Sequence, residues 1–293
     1  MSTPAASHSA VTVRRAKPED APACGQICYE AFHKISTAHN FPPDIPDPGF
    51  GVRVLTQLFS HPGFYCVVAE ADGAIAGSNC LDERDAIAGI GPITIDPKVQ
   101  NGGVGRKLMQ ALLDRARERH FAGVRLVQAA FHNRSLSLYT KLGFDVREPL
   151  SVMQGPGIKK TFDGHTVRKA AMPDIEACNR LALRVHGHHR GGELADAIGQ
   201  GTANVVEHGG RISGYASSIA FFGHSVAETN ADLQALIAAA DGFPGPGFLM
   251  PSRNGELFRW CLAHGLRVVQ PMTLMSMGLY NEPKGAFLPS VTY

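Results

Sequence analysis

The sequence predicts an α/β (α+β) chain that carries one fold twice. Three observations predict it. Strand-like and helix-like patterns alternate through the first half; three short apolar runs separated by tight turns follow one another as a meander; and the opening signature of the chain returns further on at a constant offset. Val13-Arg-Arg-Ala, Asp20 and Ala23-Cys24 reappear as Val167-Arg-Lys-Ala, Asp174 and Ala177-Cys178. A length of 293 residues suits two domains.

Taken in order, Val11 to Arg15 reads as a strand, and Lys17-Pro-Glu-Asp then opens an apolar-periodic helix through Ala23, Ile27 and Ala31. Phe41 to Phe50 holds four prolines and a glycine, which predicts a long loop, with a short helix over Val52 to Phe59. Phe64 to Ala69 and Ile75 to Leu81 flank Asp72-Gly73 as a hairpin, and Ile87 to Ile95 reads as one further strand, so an antiparallel meander is expected. Gly102 to Glu118 places Leu108, Met109, Leu112, Leu113 and Ala116 on one helical face, with Arg115, Arg117 and Arg119 near its end. Val124 to Ala130 follows as a strand, Asn133 to Leu142 as a helix stopped by Gly143, and Phe144 to Arg147 as the start of another strand.

Three later echoes keep the order of the first half. Ile75-Ala-Gly returns as Ile212-Ser-Gly and Gln110-Ala-Leu-Leu as Gln234-Ala-Leu-Ile; Asn133 up to Gly143-Phe144 returns as Asn254 up to Gly265-Leu266 with one extra residue. The expected division is a disordered segment over 1–10, a first domain over 11–152, a linker over 153–164 and a second domain over 165–293.

Composition narrows the function classes. Lys and Arg number 28 against 26 Asp and Glu, a formal charge of +2, which argues against a nucleic-acid groove. Hydrophobic residues at 44% and charged residues at 18% describe an ordinary globular core rather than a disordered chain. Six scattered cysteines without paired C-x-x-C spacing fit neither a disulfide scaffold nor a zinc knuckle, and Cys24 and Cys28 read as small apolar helix residues. The opening MSTPAASHSA lacks an apolar run and nothing later reaches membrane-spanning length, so a cytoplasmic protein without membrane contact is expected.

The chemistry concentrates in Ile93-Thr-Ile95-Asp-Pro97-Lys-Val-Gln100-Asn101-Gly102-Gly103-Val104-Gly105-Arg106-Lys107. A strand, a proline break, a glycine-rich turn and a helix follow in direct succession. Such a junction gathers unpaired backbone N–H groups under the positive end of a helix dipole, and a pyrophosphate is its natural occupant. Arg106 and Lys107 would add positive charge. Neither G-x-x-x-x-G-K-[ST] nor G-x-G-x-x-G fits; what stands here is Q-x-x-G-x-G, Gln100 to Gly105.

That motif after Ile95-Asp-Pro97, followed by Asn133-Arg-Ser-Leu-Ser-Leu-Tyr139-Thr-Lys-Leu-Gly-Phe144, resembles the GCN5-related N-acetyltransferase (GNAT) superfamily over about residues 11 to 150. The resemblance implies two GNAT-like domains, each a mixed, mostly antiparallel sheet flanked by helices. It implies acetyl-CoA as co-substrate, bound by Ile93, Ile95, Pro97, Gln100, Asn101, Gly102, Gly103, Val104, Gly105 and Arg106, with the backbone N–H of Ile95 at the thioester arm and the amides from Gly103 to Arg106 around the pyrophosphate. Asn133 would lie beside the pantetheine arm, and Tyr139 would protonate the leaving thiolate with a phenol of ordinary pKa, about 10.

The acceptor would be a small-molecule or peptide amine, of which the sequence says no more; monomer and homodimer are equally open. Its pocket would be walled by the Pro-rich loop from Ala38 to Phe50 and by the second domain. A base must free the amine of a proton. Within Asp82-Glu83-Arg84-Asp85, Glu83 is the first candidate and Asp85 the second, against the reading of a solvated charged turn; His132 is a further relay candidate.

The second copy sets His224, Ala227 and Thr229 where Gln100, Gly103 and Gly105 stand, and Cys261 where Tyr139 stands, so it reads as degenerate. His186-Gly-His188-His189-Arg190 reads as an exposed helix end, and no metal is expected. A non-catalytic acyl-CoA sensor is the competing function.

Overall fold

The computed structural model describes residues 11–99 and 102–292. Residues 1–10, Gln100 and Asn101 lie outside the described residues, and with them the expectation of a disordered start. The first half comprises β1 (Thr12–Arg15), α1 (Ala21–Ala38), α2 (Pro48–Ser60), β2 (Phe64–Ala71), β3 (Ala74–Asp82), β4 (Ala88–Ile90), β5 (Thr94–Ile95), α3 (Val104–Glu118), β6 (Gly123–Ala129), α4 (Asn133–Lys141) and β7 (Asp145–Gln154). The second half comprises β8 (His165–Lys169), α5 (Ile175–His186), α6 (Gly191–Gly199), β9 (Asn204–His208), β10 (Arg211–Ala216), β11 (Ser225–Ala227), α7 (Asn230–Ala238), β12 (Phe248–Pro251), α8 (Gly255–Ala263), β13 (Arg267–Gly278) and β14 (Ala286–Leu288). The architecture is α/β, with mostly antiparallel sheets.

Two sequence expectations change. The single strand expected over 87–95 is two, β4 and β5, because Gly91 and Pro92 interrupt the ladder and a proline has no N–H to donate. The loop expected to run to Phe50 ends earlier: Asp47 accepts the Phe50 amide at 2.8 Å and Pro48 sits in the first turn, a cap and starter that open α2 four residues before Val52.

Chain contacts divide the protein into two compact units, Met1–Leu81 with Ile90–His120 and Asp82–Gly89 with Phe121–Tyr293. In the first, β1 pairs antiparallel with β2, and β5 pairs antiparallel with β3. Helices α1 and α2 bury Cys24, Cys28, Leu55 and Phe59 against Cys66 and Val68 of β2. Burial pushes the thiols of Cys24 and Cys28 up to about 12, which makes them packing groups rather than a redox pair.

In the second unit the strands run β4, β6, β13, β7, β12, and a separate sheet runs β14, β11, β10, β9, β8. Only β4 and β6 are parallel among the registers given within this unit. Strand β13, from the second half of the sequence, lies between β6 and β7 of the first half, and β7 lies between β13 and β12. The final strands of the two halves are thus exchanged. The boundary expected over 153–164 follows the sequence repeat, whereas the compact units follow this pairing.

The repeat itself has a physical cause. Arg14 clasps Asp20 with two guanidinium nitrogens at 2.8 and 2.9 Å and reaches Glu70 at 2.8 Å, while Asp20 also accepts the Lys17 amide at 2.8 Å. Arg168 repeats this with Asp174 at 2.7 and 3.0 Å and Glu207 at 2.8 Å, and Asp174 accepts the Ala171 amide at 2.8 Å. The arginine beside each carboxyl holds it below the ordinary carboxylate range. Each clasp ties the first strand of its half to the start of the helix that follows.

Candidate active site

The strand end and the glycine turn lie in the first unit. Ile95 ends β5 opposite Gly77 of β3, and the Asp96 amide donates to the Ala76 carbonyl at 2.9 Å. Asp96 then folds the chain back: its carboxylate accepts the Lys98 amide at 2.8 Å and its carbonyl the Val99 amide at 3.0 Å, with Pro97 inside the turn. Ile93 and Pro97 are half-buried.

Gly103 is the N-cap of α3 at φ +78°, a left-handed conformation that L side chains rarely adopt, and a Cβ there would meet nothing within 4 Å. The requirement for glycine is therefore conformational, and none of the described residues fills the space over it. Glycine has no side chain to cap the helix, no cap comes from another of the described residues, and the first intrahelical bond runs from the Lys107 amide to the Gly103 carbonyl at 3.1 Å. The amides of Val104, Gly105 and Arg106 thus emerge at the positive end of α3. Arg106 is exposed. Lys107, expected to add charge for a phosphate, instead donates from Nζ to the Val11 carbonyl at 2.7 Å. Gln100 and Asn101 lie outside the described residues.

The remaining candidates lie in the second unit. Asn133 is the exposed first residue of α4, which His132 caps. Tyr139, six residues on, faces inward: it is buried and meets Phe144 edge to face at 6.3 Å between centroids. Burial pushes its phenol above the ordinary value rather than leaving it near 10. The group is held more firmly protonated than the sequence suggests.

The turn carrying Glu83 and Asp85 is not the solvated loop weighed as an alternative. Arg84 bonds back to Asp82 through Nε at 2.9 Å and out to Asp196 of α6 at 2.8 Å. Asp85 accepts the Gly192 and Glu193 amides at 2.8 and 3.2 Å, acting as an outside cap for α6. Gly192 permits this approach, since a Cβ there would lie 2.3 Å from the Arg84 carbonyl oxygen. Burial raises the Asp85 pKa, against Arg190 and the two amides. Glu83 is half-buried in the same turn.

The second half shows why its copy differs. Gly214 pairs with Ala227 as Gly77 pairs with Ile95, so β11 stands for β5. Residues 96–102 separate Ile95 from its helix cap, but only residue 228 separates Ala227 from Thr229, the cap of α7. The glycine loop is absent, and Thr229 matches Gly103 rather than Gly105. Thr229 accepts the Asp232 amide at 3.2 Å and Asp232 accepts the Thr229 amide at 3.1 Å, a closed capping box that leaves fewer donors for an anion. Matching the caps His132 and Asn254 also removes the extra residue that the sequence comparison required. Cys261 is buried, and the Leu266 amide bonds to its carbonyl at 3.1 Å as the Phe144 amide bonds to that of Tyr139 at 3.0 Å.

The His186 to Arg190 segment is not an exposed helix end. His186, His188 and Arg190 are all buried. The His186 ring lies 5.7 Å from that of His188 and 5.4 Å from that of His224, with Arg125 and Arg190 close enough to act on all three electrostatically. Arg190 pairs with Glu193, to which Ser217 also donates at 2.7 Å. Desolvation and the two arginines push the His188 pKa down to about 4, and those of His186 and His224 downward as well. The His186 to Arg190 run is visible in the sequence but its burial with Arg125 and His224 is not, because these groups come from β6, the end of α5, the following loop and the turn before β11.

Residues 30–144 match the family model for the acetyltransferase (GNAT) family. The uncharacterized N-acetyltransferase YjgM of Escherichia coli K12 is 25% identical over 138 residues, 45% of this chain and 81% of that protein. A solved protein of Pyrococcus horikoshii, provisionally described as an acetyltransferase, superposes with a TM-score of 0.71 at 16% identity, over 97% of this chain and 92% of that one. A GCN5-related N-acetyltransferase of Sphaerobacter thermophilus gives 0.61 at 18% identity, over 93% and 96%. A tandem GNAT protein from the clavulanic acid biosynthesis pathway gives 0.56 at 11% identity, over 92% and 98%. These superpositions bear on the fold.

Proposed function

We propose that this chain, whose residues 30–144 match the GNAT-family model and whose fold is that of tandem GNAT proteins, is an N-acetyltransferase that moves the acetyl group of acetyl-CoA to a primary amine by direct attack. The observation that carries the proposal is the α3 terminus: a left-handed Gly103 that no described side chain caps or covers, eight residues after the last residue of β5 and inside the matched span. Those features fit a pyrophosphate, which needs several N–H donors and no intruding side chain.

In this reading the Gly102 to Arg106 backbone, with Gln100 and Asn101, holds the pyrophosphate. Ile93, Ile95 and Pro97 line the thioester arm, and Asn133 meets the pantetheine. The thioester supplies an acyl group already activated toward nitrogen. Glu83 or Asp85 takes a proton from the acceptor ammonium; the nitrogen then forms the amide bond as the C–S bond breaks, and Tyr139 gives its phenolic proton to the departing thiolate. The raised phenol keeps that proton until the thiolate appears. We place the reaction in the cytoplasm, on the support of six buried, unbridged thiols; among the described residues no helix is long and apolar enough to cross a membrane.

The competing reading, an acyl-CoA-binding module without turnover, draws on Asp85 being engaged with α6. Thiol release from acetyl-CoA across a panel of small amines, amino acids and peptides decides between them. Acceptor-dependent release supports the enzyme; calorimetric binding of acetyl-CoA without release across the panel supports the sensor, and no binding removes both.

A further inference from the structure

We propose that His165, His208 and Asp232 form a site for a divalent transition-metal ion of the zinc class. His165 of β8 and His208 of β9 are register partners across an antiparallel pair, so their side chains share one face of the sheet. Helix α7 brings Asp232 over that face. One ligand atom from each residue, His165 Nε2, His208 Nδ1 and Asp232 Oδ1, falls within a group spanning no more than 4.8 Å.

The proton positions call for a cation. His165 Nδ1 lies 3.0 Å from the Asp163 carbonyl, an acceptor only, so Nδ1 is the nitrogen that carries the hydrogen. Nε2 then presents a bare lone pair; it is buried, has no hydrogen-bond partner, and lies 3.4 Å from Asp232 Oδ1. Two acceptors held at that distance repel each other unless a cation, a proton or a metal ion, lies near both. A proton joins two atoms, but here a third donor atom, His208 Nδ1, lies 3.9 Å from the same oxygen. Tetrahedral ligands at the ordinary zinc distances of about 2.0–2.2 Å stand about 3.4 Å from one another, close to the spacing found.

The surroundings are those of a metal site. His165 donates its other N–H to a main-chain carbonyl, the usual orienting contact of a metal-bound imidazole. Ser213 donates to Asp232 Oδ1, and Thr229 donates to Oδ2 through its hydroxyl and, at 3.1 Å, its amide, so the carboxylate cannot swing. The His165 and Asp232 side chains are 8% and 1% exposed but that of His208 is 52% exposed, which gives the ion an entrance and leaves its outer side to water. The imidazole rings stack at 4.2 Å and 18°. Closing on an ion requires His208 to turn, a motion that an exposed side chain makes without disturbing the core. A bound ion would pin β8, β9 and α7 together, and α7 is the helix whose glycine loop the second half lacks.

The test uses the full chain, stripped with a chelator and dialysed, titrated with Zn²⁺ by calorimetry and followed by thermal unfolding. One equivalent should bind and raise the unfolding temperature. His208→Ala, at an exposed position, should leave the metal-free melting temperature near that of the wild type yet abolish the zinc-dependent rise; His165→Gln should do the same, and Ser213→Ala should cost about 10- to 100-fold in affinity. Absence of stoichiometric zinc in the wild type, or equal zinc responses in the wild type and His208→Ala, would overturn the proposal. So would an NMR titration showing His165 doubly protonated at neutral pH in the presence of excess zinc.

Discussion

Tyr139 is buried against Phe144 with its phenol raised by desolvation, so replacing the hydroxyl should spare cofactor binding and slow turnover. Tyr139→Phe is expected to lower kcat by about 10²-fold or more while the acetyl-CoA Kd stays within about twofold, and steady-state kinetics with calorimetry check it. Glu83 and Asp85 separate by a different pair of readouts. Glu83→Gln should lower kcat without changing the melting temperature. Asp85→Asn should cost about 1 kcal/mol of stability, because Asp85 caps α6. His188 carries a pH signature. Its pKa lies near 4 in the folded chain against 6.5 unfolded, so below pH 6.5 the unfolded chain gains a proton that the folded chain does not bind. Stability is therefore greatest above pH 6.5 and falls as pH drops toward 4, by up to about 3 kcal/mol from this residue. Urea unfolding at pH 7 and pH 4.5 measures the loss, and His188→Gln should reduce it.

At the scale of the element, the two halves differ most at the start of one helix. Helix α3 begins on a left-handed glycine after a seven-residue connection, whereas α7 begins on a closed Thr229–Asp232 capping box after one residue. The first arrangement leaves amides for a ligand and the second returns them to the protein. Gly103→Ala should therefore cost about 1–2 kcal/mol of backbone strain without a clash, whereas Gly103→Glu adds a carboxylate where the pyrophosphate is proposed to lie. Calorimetry should record weakened acetyl-CoA binding for the alanine variant and none for the glutamate variant. Equal binding by the glutamate variant would move the cofactor away from α3.

For the whole molecule, the exchange of final strands decides what can stand alone. In the unit that contains them, β6 and β7 are not neighbours: β13 separates them, and β12 covers the far edge of β7. A fragment ending at residue 152 loses both partners and exposes ladder edges on two apolar strands. It should aggregate, or run on size exclusion as a larger species relative to its length than the full chain, and adding residues 153–293 as a separate fragment should restore solubility.

Much of this was legible in the chain itself. Periodicity marked α1, α3 and α4, since a buried face must recur with the helical turn whatever it packs against. The repeat of Arg14 and Asp20 in Arg168 and Asp174 announced two copies, because one local clasp imposes one local sequence. The order Q-x-x-G-x-G, then Asn133 and Tyr139, carried the resemblance to the GNAT family, and residues 30–144 match that family's model, since main-chain donors at a helix start depend on the local residues. The tertiary structure alone decided the split of β4 from β5, the exchange of β13 and β7, the burial of His186 and His188, and the meeting of His165, His208 and Asp232. Each of these joins segments far apart along the chain, and a linear pattern records what a residue prefers locally, not which distant strand or helix will lie against it.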